Sequence, residues 1–147
     1  MNYLLDTNIL LIYLRSKEKA EEIESQYQLF SAENTPIISI VSIGEILSIA
    51  KRNNWGQKKL DLLENIVNSL LTIDISNEQI LEKYAQIDAY SQGKLPETPL
   101  NTSARNMGKN DLWIAATASV ANATLITTDK DFSHLHQVFL KIALLTP

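Results

Sequence analysis

Tyr3-Leu4-Leu5-Asp6-Thr7-Asn8-Ile9-Leu10-Leu11-Ile12 starts as a strand and continues, past a polar hinge, as a helix. Tyr3–Leu5 is a short apolar run of the kind that fills a buried strand, and Asn8–Leu14 follows at once as a short helix. Asp6, Thr7 and Asn8 break the apolar stretch, and no basic residue precedes it, so the segment is not read as a secretory leader. What decides the fold is whether this unit, an apolar strand leading into an amphipathic helix, recurs along the chain.

It recurs. Ser16 opens a charged helix predicted through about Ala32, with Ala20, Ile23, Tyr27 and Phe30 as its apolar stripe. Pro36-Ile37-Ile38-Ser39-Ile40 is a β-branched strand bounded by proline. Helices follow over Ser42–Asn53 and Gln57–Leu70, separated by the turn Asn54-Trp55-Gly56, and Leu71-Thr72-Ile73 is a third strand. Ser76-Asn77-Glu78-Gln79 matches a capping box, so a helix is expected from there to about Gln92. Gly93 to Gly108 holds Pro96 and Pro99 among polar residues and reads as a loop. Asn110 is the expected N-cap of a helix through Asn122. Thr124–Thr127 is a fourth strand, and Val138–Leu144 holds a possible fifth. Strands alternating with helices give right-handed crossovers, hence a three-layer α/β/α fold with a mainly parallel sheet of four to five strands. The 147 residues fit one domain, 1–147, with no repeat or linker.

Composition narrows the chemistry. Apolar residues make up 45%, enough for a core. There is no cysteine, which excludes a disulfide framework, thiolate zinc sites and a cysteine nucleophile, and suits the cytoplasm. The longest apolar stretch, Ile37–Ala50, contains Glu45 and is too short to span a bilayer, so no membrane role is expected. A net charge of −4 argues against an ordinary nucleic-acid binder, unless part of the acid serves to hold cations.

In open parallel sheets, ligands bind beyond the carboxyl ends of the strands. Asp6 follows the first strand and Asp129 the fourth, while Asp111 lies in the first turn of the helix leading into the fourth. Each alone has an ordinary explanation, as a turn former or as a partner of a helix dipole. Asp74, after the third strand, is given that turn role. Glu45 shares a helix face with Val41, Ser48 and Ile49, an apolar setting in which a carboxylate needs a cation or a route to the rim. Gathered at one edge, these acids repel one another unless a cation neutralises them, and carboxylate oxygens with water suit Mg2+ or Mn2+.

At this point the chain resembles the PIN-domain family and, within it, the VapC-type toxins of toxin–antitoxin pairs. The resemblance rests on Leu4-Leu5-Asp6-Thr7-Asn8, Ser42-Ile43-Gly44-Glu45-Ile46, Lys109-Asn110-Asp111-Leu112-Trp113-Ile114-Ala115-Ala116 and Leu125-Ile126-Thr127-Thr128-Asp129-Lys130-Asp131-Phe132, in order and nearly end to end. It implies a metal-dependent endoribonuclease with Asp6, Glu45, Asp111 and Asp129 as the catalytic and metal-binding quartet. It further implies Thr128 as a hydroxyl beside the fourth acid, Asp131 as an optional extra acid, and 5′-phosphate and 3′-hydroxyl products. Asn8 and Asn110 fit supporting roles as well as helix caps. A homodimer and a small antitoxin protein are the implied partners, with RNA as substrate. The 93–108 loop looks longer and more polar than in the plainest members.

Phosphate contacts need Lys or Arg. Arg105 and Lys109 flank Asp111, and Arg15 is a weaker candidate; each is equally explained as solvated surface charge. His134 and His136 form an HxH, more often surface than zinc site. Trp55 and Trp113 are candidates for base stacking or for core. Two other readings use strand-end acids. An RNA-processing PIN nuclease would lack the antitoxin. An acidic-pocket binding or signalling domain would need paired acids near the start, where Asp6 stands alone with Asn at position 8.

Overall fold

The computed structural model describes residues 1–147. Five strands, β1 (Asn2–Leu5), β2 (Thr35–Ser39), β3 (Leu71–Ile73), β4 (Ala123–Thr127) and β5 (Lys141–Leu144), form one sheet in the order β3-β2-β1-β4-β5. All four pairings are parallel. The helices are α1 (Thr7–Arg15), α2 (Lys17–Tyr27), α3 (Ile40–Arg52), α4 (Gln57–Asn68), α5 (Glu78–Ser91) and α6 (Lys109–Val120), and a 3-10 turn covers Lys130–Leu135.

Strand alternation divides the core. Leu4, Ile37 and Leu125 point to a layer filled from α5, α6 and the 3-10 turn, including Ile87, Ile114 and Phe132. Tyr3, Leu5, Ile38 and Ile126 point the other way, onto Ile9, Leu10, Ile46 and Leu63 of α1, α3 and α4. The expected α/β/α sandwich is therefore present, with five strands. Progress through the sheet runs outward from β1 to β3, then jumps back past β1 to β4. Right-handed crossovers in opposite directions place their helices on opposite faces, which is what the two core layers record. The reversal creates a switch point between β1 and β4, where neighbouring loops part at the carboxyl edge.

Several expected boundaries shift, for local reasons. The second helix stops at Tyr27, not near Ala32: Gln28 adopts a left-handed conformation (φ 52°), and Glu24 Oε1 accepts the Phe30 backbone N–H at 3.0 Å. Phe30 thus leaves the helical stripe and packs edge-on against Tyr13, with ring centroids 5.8 Å apart. Ile40 belongs to α3 rather than β2, because the Ser39 hydroxyl caps that helix by accepting from Val41 N–H. Asn77, one residue past Ser76, caps α5 by accepting from Gln79 and Ile80 N–H. Asn110 is not the cap of α6: Gly108 holds that position without a side-chain bond, and Asn110 is exposed within the first turn.

Gly93 ends α5 at φ +72°, with its N–H donating to Tyr90 O at 3.0 Å. A side chain there is strained whatever the space around it. Gly93→Ala is expected to cost about 1–2 kcal/mol, readable as a lower urea midpoint with unchanged slope.

Candidate functional site

The β1–β4 switch point is where the acids collect. Parallel register sets Leu5 beside Ile126, so Asp6, just past the end of β1, faces Thr127, the last residue of β4. Asp6 is buried, at 4% exposure, and each of its carboxylate oxygens accepts one hydrogen bond. Oδ1 accepts the Thr7 backbone N–H at 2.8 Å, capping α1, and Oδ2 accepts the Thr127 hydroxyl at 2.7 Å. The same Thr127 oxygen accepts the Asp129 N–H at 2.9 Å, and Asp129 Oδ1 accepts the Asp131 N–H at 2.8 Å, opening the 3-10 turn. One hydroxyl thus joins the ends of β1 and β4 and sets the spacing of two candidate ligands.

A second hydroxyl chain reaches Glu45. Thr7 Oγ1 lies 2.8 Å from the buried Ser42 Oγ and 3.0 Å from Glu45 Oε1. A hydroxyl carries one proton. The order that gives the ionised carboxylate a donor is Ser42 donating to Thr7 and Thr7 donating to Glu45. Glu45 is only half-buried, on a groove that also includes Ser48, Ile49, Arg52, Asn110 and Trp113. Val41, Ser48 and Ile49, expected to share a face with Glu45, line this groove with it, and the carboxylate sits at the groove wall with its own donor. Thr7→Val removes that donor and strands Ser42. The expected cost is about 1–3 kcal/mol of stability and roughly 10–100-fold of metal-dependent cleavage. Thr7→Ser is expected to recover both in melting and cleavage assays.

Asp111, half-buried in the first turn of α6, completes the set. Its carboxyl is pushed up to about 7, first by burial and then by the charges of Asp6, Asp129, Glu45 and Asp131. Burial likewise raises the Asp6 carboxyl, against the pull of its Thr127 and Thr7 hydrogen bonds, with the charges of Asp129 and Glu45 adding to the rise. Two acids held above their ordinary range by burial, and further by the charges of neighbouring carboxylates, are what a cation would relieve. No three acidic or histidine side chains close into a ligand cage by themselves. Carboxylate oxygens together with water are the donors that suit Mg2+ or Mn2+, which take one or two protein carboxylates and keep several waters.

Other candidates fall around or outside this acidic cluster. Asp131, exposed, is at its edge and shares a small cavity with Asp111 and Arg105. Thr128 is half-buried and makes no side-chain hydrogen bond. The hydroxyl that touches these acids is that of Thr127, and the parallel register of β1 and β4 is the signal that finds it. Thr7 and Ser42 were likewise missed, although Ser42 stands three residues before Glu45 on one helical face. Asn8 and Lys109 are exposed beside Asp6 and Asp111. Arg15 ends α1, nine residues along a helix that starts at Asp6, roughly 13 Å down its axis, so it is not brought to the acids. Asp74 accepts the Ser76 N–H, the turn role assigned to it. The histidines are structural: His134 Nε2 is 2.7 Å from Ser91 Oγ, and His136 Nδ1 accepts from Ile142 N–H. Trp113 packs on Tyr84, and Trp55 lies under Lys59. A further cavity of about 360 Å3, with Asn2, Ser119 and Lys141 in its wall, lies at the opposite, amino end of the strands, away from the acids.

Residues 3–137 match the model of the PIN domain family. The chain belongs to this family and, within it, to the VapC-type branch. It is 30% identical to Ribonuclease VapC2 of Rickettsia felis over 145 residues, covering 96% of this chain and 97% of the relative. It is 32% identical to Ribonuclease VapC1 of Haemophilus influenzae strain R2866 over 139 residues, covering 92% of each. Among solved structures, VapBC-1 from nontypeable Haemophilus influenzae superposes with a TM-score of 0.77 at 25% identity, over the whole of both chains. No helix of the chain is long and apolar enough to cross a membrane.

Proposed function

We infer that the chain is an endoribonuclease of the VapC type, the toxin of a toxin–antitoxin pair, and that it requires Mg2+ or Mn2+. The observation that carries the metal requirement is the convergence of Asp6, Glu45, Asp111 and Asp129 at the β1–β4 switch point, where their repulsion and burial hold Asp6 and Asp111 above the ordinary carboxyl range. Relatives at 30% and 32% identity, both named ribonucleases, support the reaction class. RNA, a small antitoxin and a second copy of the chain are the partners this reading brings, in the cytoplasm.

A divalent cation supplies a water of lowered pKa and neutralises charge that builds on the phosphate oxygens. Asp6 and Asp111 are the residues we place directly on it. Thr127 holds Asp6 against rotation and spaces it from Asp129. Thr7 keeps one oxygen of Glu45 occupied as an acceptor, leaving the other oxygen for the cation or for the proton of the attacking water. Attack of water on phosphorus would form a P–O bond as the bond to the 3′ oxygen breaks, and that oxygen would leave as the 3′-hydroxyl after taking a proton from solvent, with the 5′ phosphate on the other product. Lys109 and Arg105, flanking Asp111, are our candidates for neighbouring phosphates.

The test is cleavage of mixed transfer and ribosomal RNA by the purified chain, with Mg2+ or Mn2+, with EDTA, and with Asp6→Asn. Cleavage lost in both EDTA and Asp6→Asn supports the reading. Equal cleavage by the wild type and Asp6→Asn overturns it.

A further inference from the structure

The 93–108 loop carries no regular secondary structure, yet it is fixed at several points. Leu95, Leu100 and Met107 pack onto the core layer of α5 and α6. The Arg105 backbone N–H donates to Ser91 O at 2.8 Å, and the Ser91 hydroxyl, itself fully buried, reaches Met107 Sδ at 3.4 Å. Between the anchors at Leu100 and Met107, the six residues Asn101-Thr102-Ser103-Ala104-Arg105-Asn106 include no aromatic and no bulky aliphatic side chain. A segment pinned at both ends and polar between them is built to present polar groups rather than to fill a core.

What it presents them to is a cavity of about 270 Å3. The loop lines it with Ser103, Arg105, Asn106 and Gly108, and Asp111 and Asp131 complete the lining. The volume lies just below the roughly 300–1,000 Å3 of pockets for drug-sized ligands, so it suits one nucleotide unit and not several. Arg105 is the one cation of the lining and is half-buried. Asn106 offers a donor and an acceptor on one amide, the pattern that pairs with a base edge, and Ser103 adds a hydroxyl. Sequence-specific proteins read RNA by splaying out unpaired bases and bonding their edges. Asp111 in the lining places the cavity beside the candidate site of phosphate chemistry.

We propose that this cavity takes the unpaired nucleotide next to the scissile phosphate, with Arg105 on its phosphate and Ser103 and Asn106 on its base edge. The proposal rests on the nuclease reading and assigns its choice of sequence to the loop. Arg105 positions every substrate alike. Ser103 and Asn106 distinguish one base from another.

The test uses a hairpin RNA library with a randomised loop, cut in Mn2+ by the wild type, Ser103→Ala, Asn106→Ala, Arg105→Gln and Asp6→Asn, with cut sites read by sequencing. Ser103 and Asn106 are exposed, and Arg105→Gln keeps the backbone N–H that ties the loop to Ser91, so melting curves matched to wild type are expected. The wild type is expected to prefer one base at one position beside the cut. Asn106→Ala is expected to flatten that preference by about 5–150-fold, the discrimination of one good amide–base pair, and Ser103→Ala to flatten it less. Arg105→Gln is expected to slow cleavage of all sequences evenly and to weaken its salt dependence. Wild-type cleavage with no preference at the flanking position, or a preference unchanged in Asn106→Ala, overturns the proposal and leaves the nuclease reading standing. Cleavage that Asp6→Asn retains overturns both.

Discussion

Asp111→Asn is expected to raise the melting temperature of the metal-free chain at pH 8 and, in the same preparation, to cut metal-dependent RNA cleavage by on the order of 10²–10³-fold. Both effects have one cause. At pH 8 the Asp111 carboxyl is above its pKa of about 7 and is ionised in a half-buried place, against the charges of Asp6, Asp129, Glu45 and Asp131. The amide has nearly the same shape without the charge, so the repulsion disappears and the fold relaxes. It also removes the anionic oxygen that the cation requires, and with it the charge that offsets the developing phosphate. Asp74→Asn is the control. Asp74 is an exposed strand-end acid whose side chain accepts one N–H in a turn, a role asparagine fills equally well, so neither quantity is expected to change. Thermal melts without metal and cleavage in Mn2+ check the pair. A variant that loses stability at pH 8 while keeping its cleavage would remove Asp111 from the site.

The contrast between Asp111 and Asp74 also shows what a sequence reveals and what it leaves out. Asp6 and Asp129 were legible because the strands before them are short, apolar and end abruptly, and because a parallel sheet gathers strand ends at one edge. Glu45 was legible by helical spacing alone, although it turned out to line a groove rather than to be enclosed. The hydroxyls that hold these acids were not legible, because each acts across the sheet or between helices. Thr127 meets Asp6 only through the register that pairs Leu5 with Ile126, more than a hundred residues apart. Adjacent threonines at 127 and 128 look alike on paper, and strand alternation turns one inward and the other aside. Thr7 meets Glu45 only once α1 packs on α3. The end of α2 depended on Gln28 adopting a left-handed conformation and on Glu24 reaching forward to Phe30, a local choice that the apolar stripe does not encode. His134 and His136 invited a metal reading from spacing, yet the fold spends them on Ser91 and Ile142.

Saturating Mn2+ is expected to stabilise the chain more at pH 8 than at pH 6. At a free ion concentration one hundred times Kd, binding to the folded state alone contributes about 2.7 kcal/mol, or about 5–11 °C for a chain of this size. The pH dependence follows from Asp111. Its folded pKa is about 7 against an ordinary value of 3.8. Between those values the folded chain keeps a proton that the unfolded chain has released, so unfolding releases protons and metal-free stability falls as pH rises from about 4 through 7. Asp6, raised in the same direction, adds to the fall. A cation needs the ionised carboxylates, so at pH 6 it must first displace that proton, and its apparent affinity rises with pH until Asp111 is ionised without it. The metal-induced shift therefore grows from pH 6 to pH 8, the reverse of the metal-free trend. In Asp111→Asn the shift is expected to be small and nearly independent of pH. Melts at both pH values, with and without Mn2+, decide it. A shift of equal size at pH 6 and pH 8, retained in both Asp6→Asn and Asp111→Asn, would mean that the ion binds elsewhere and that the four carboxylates are not its site.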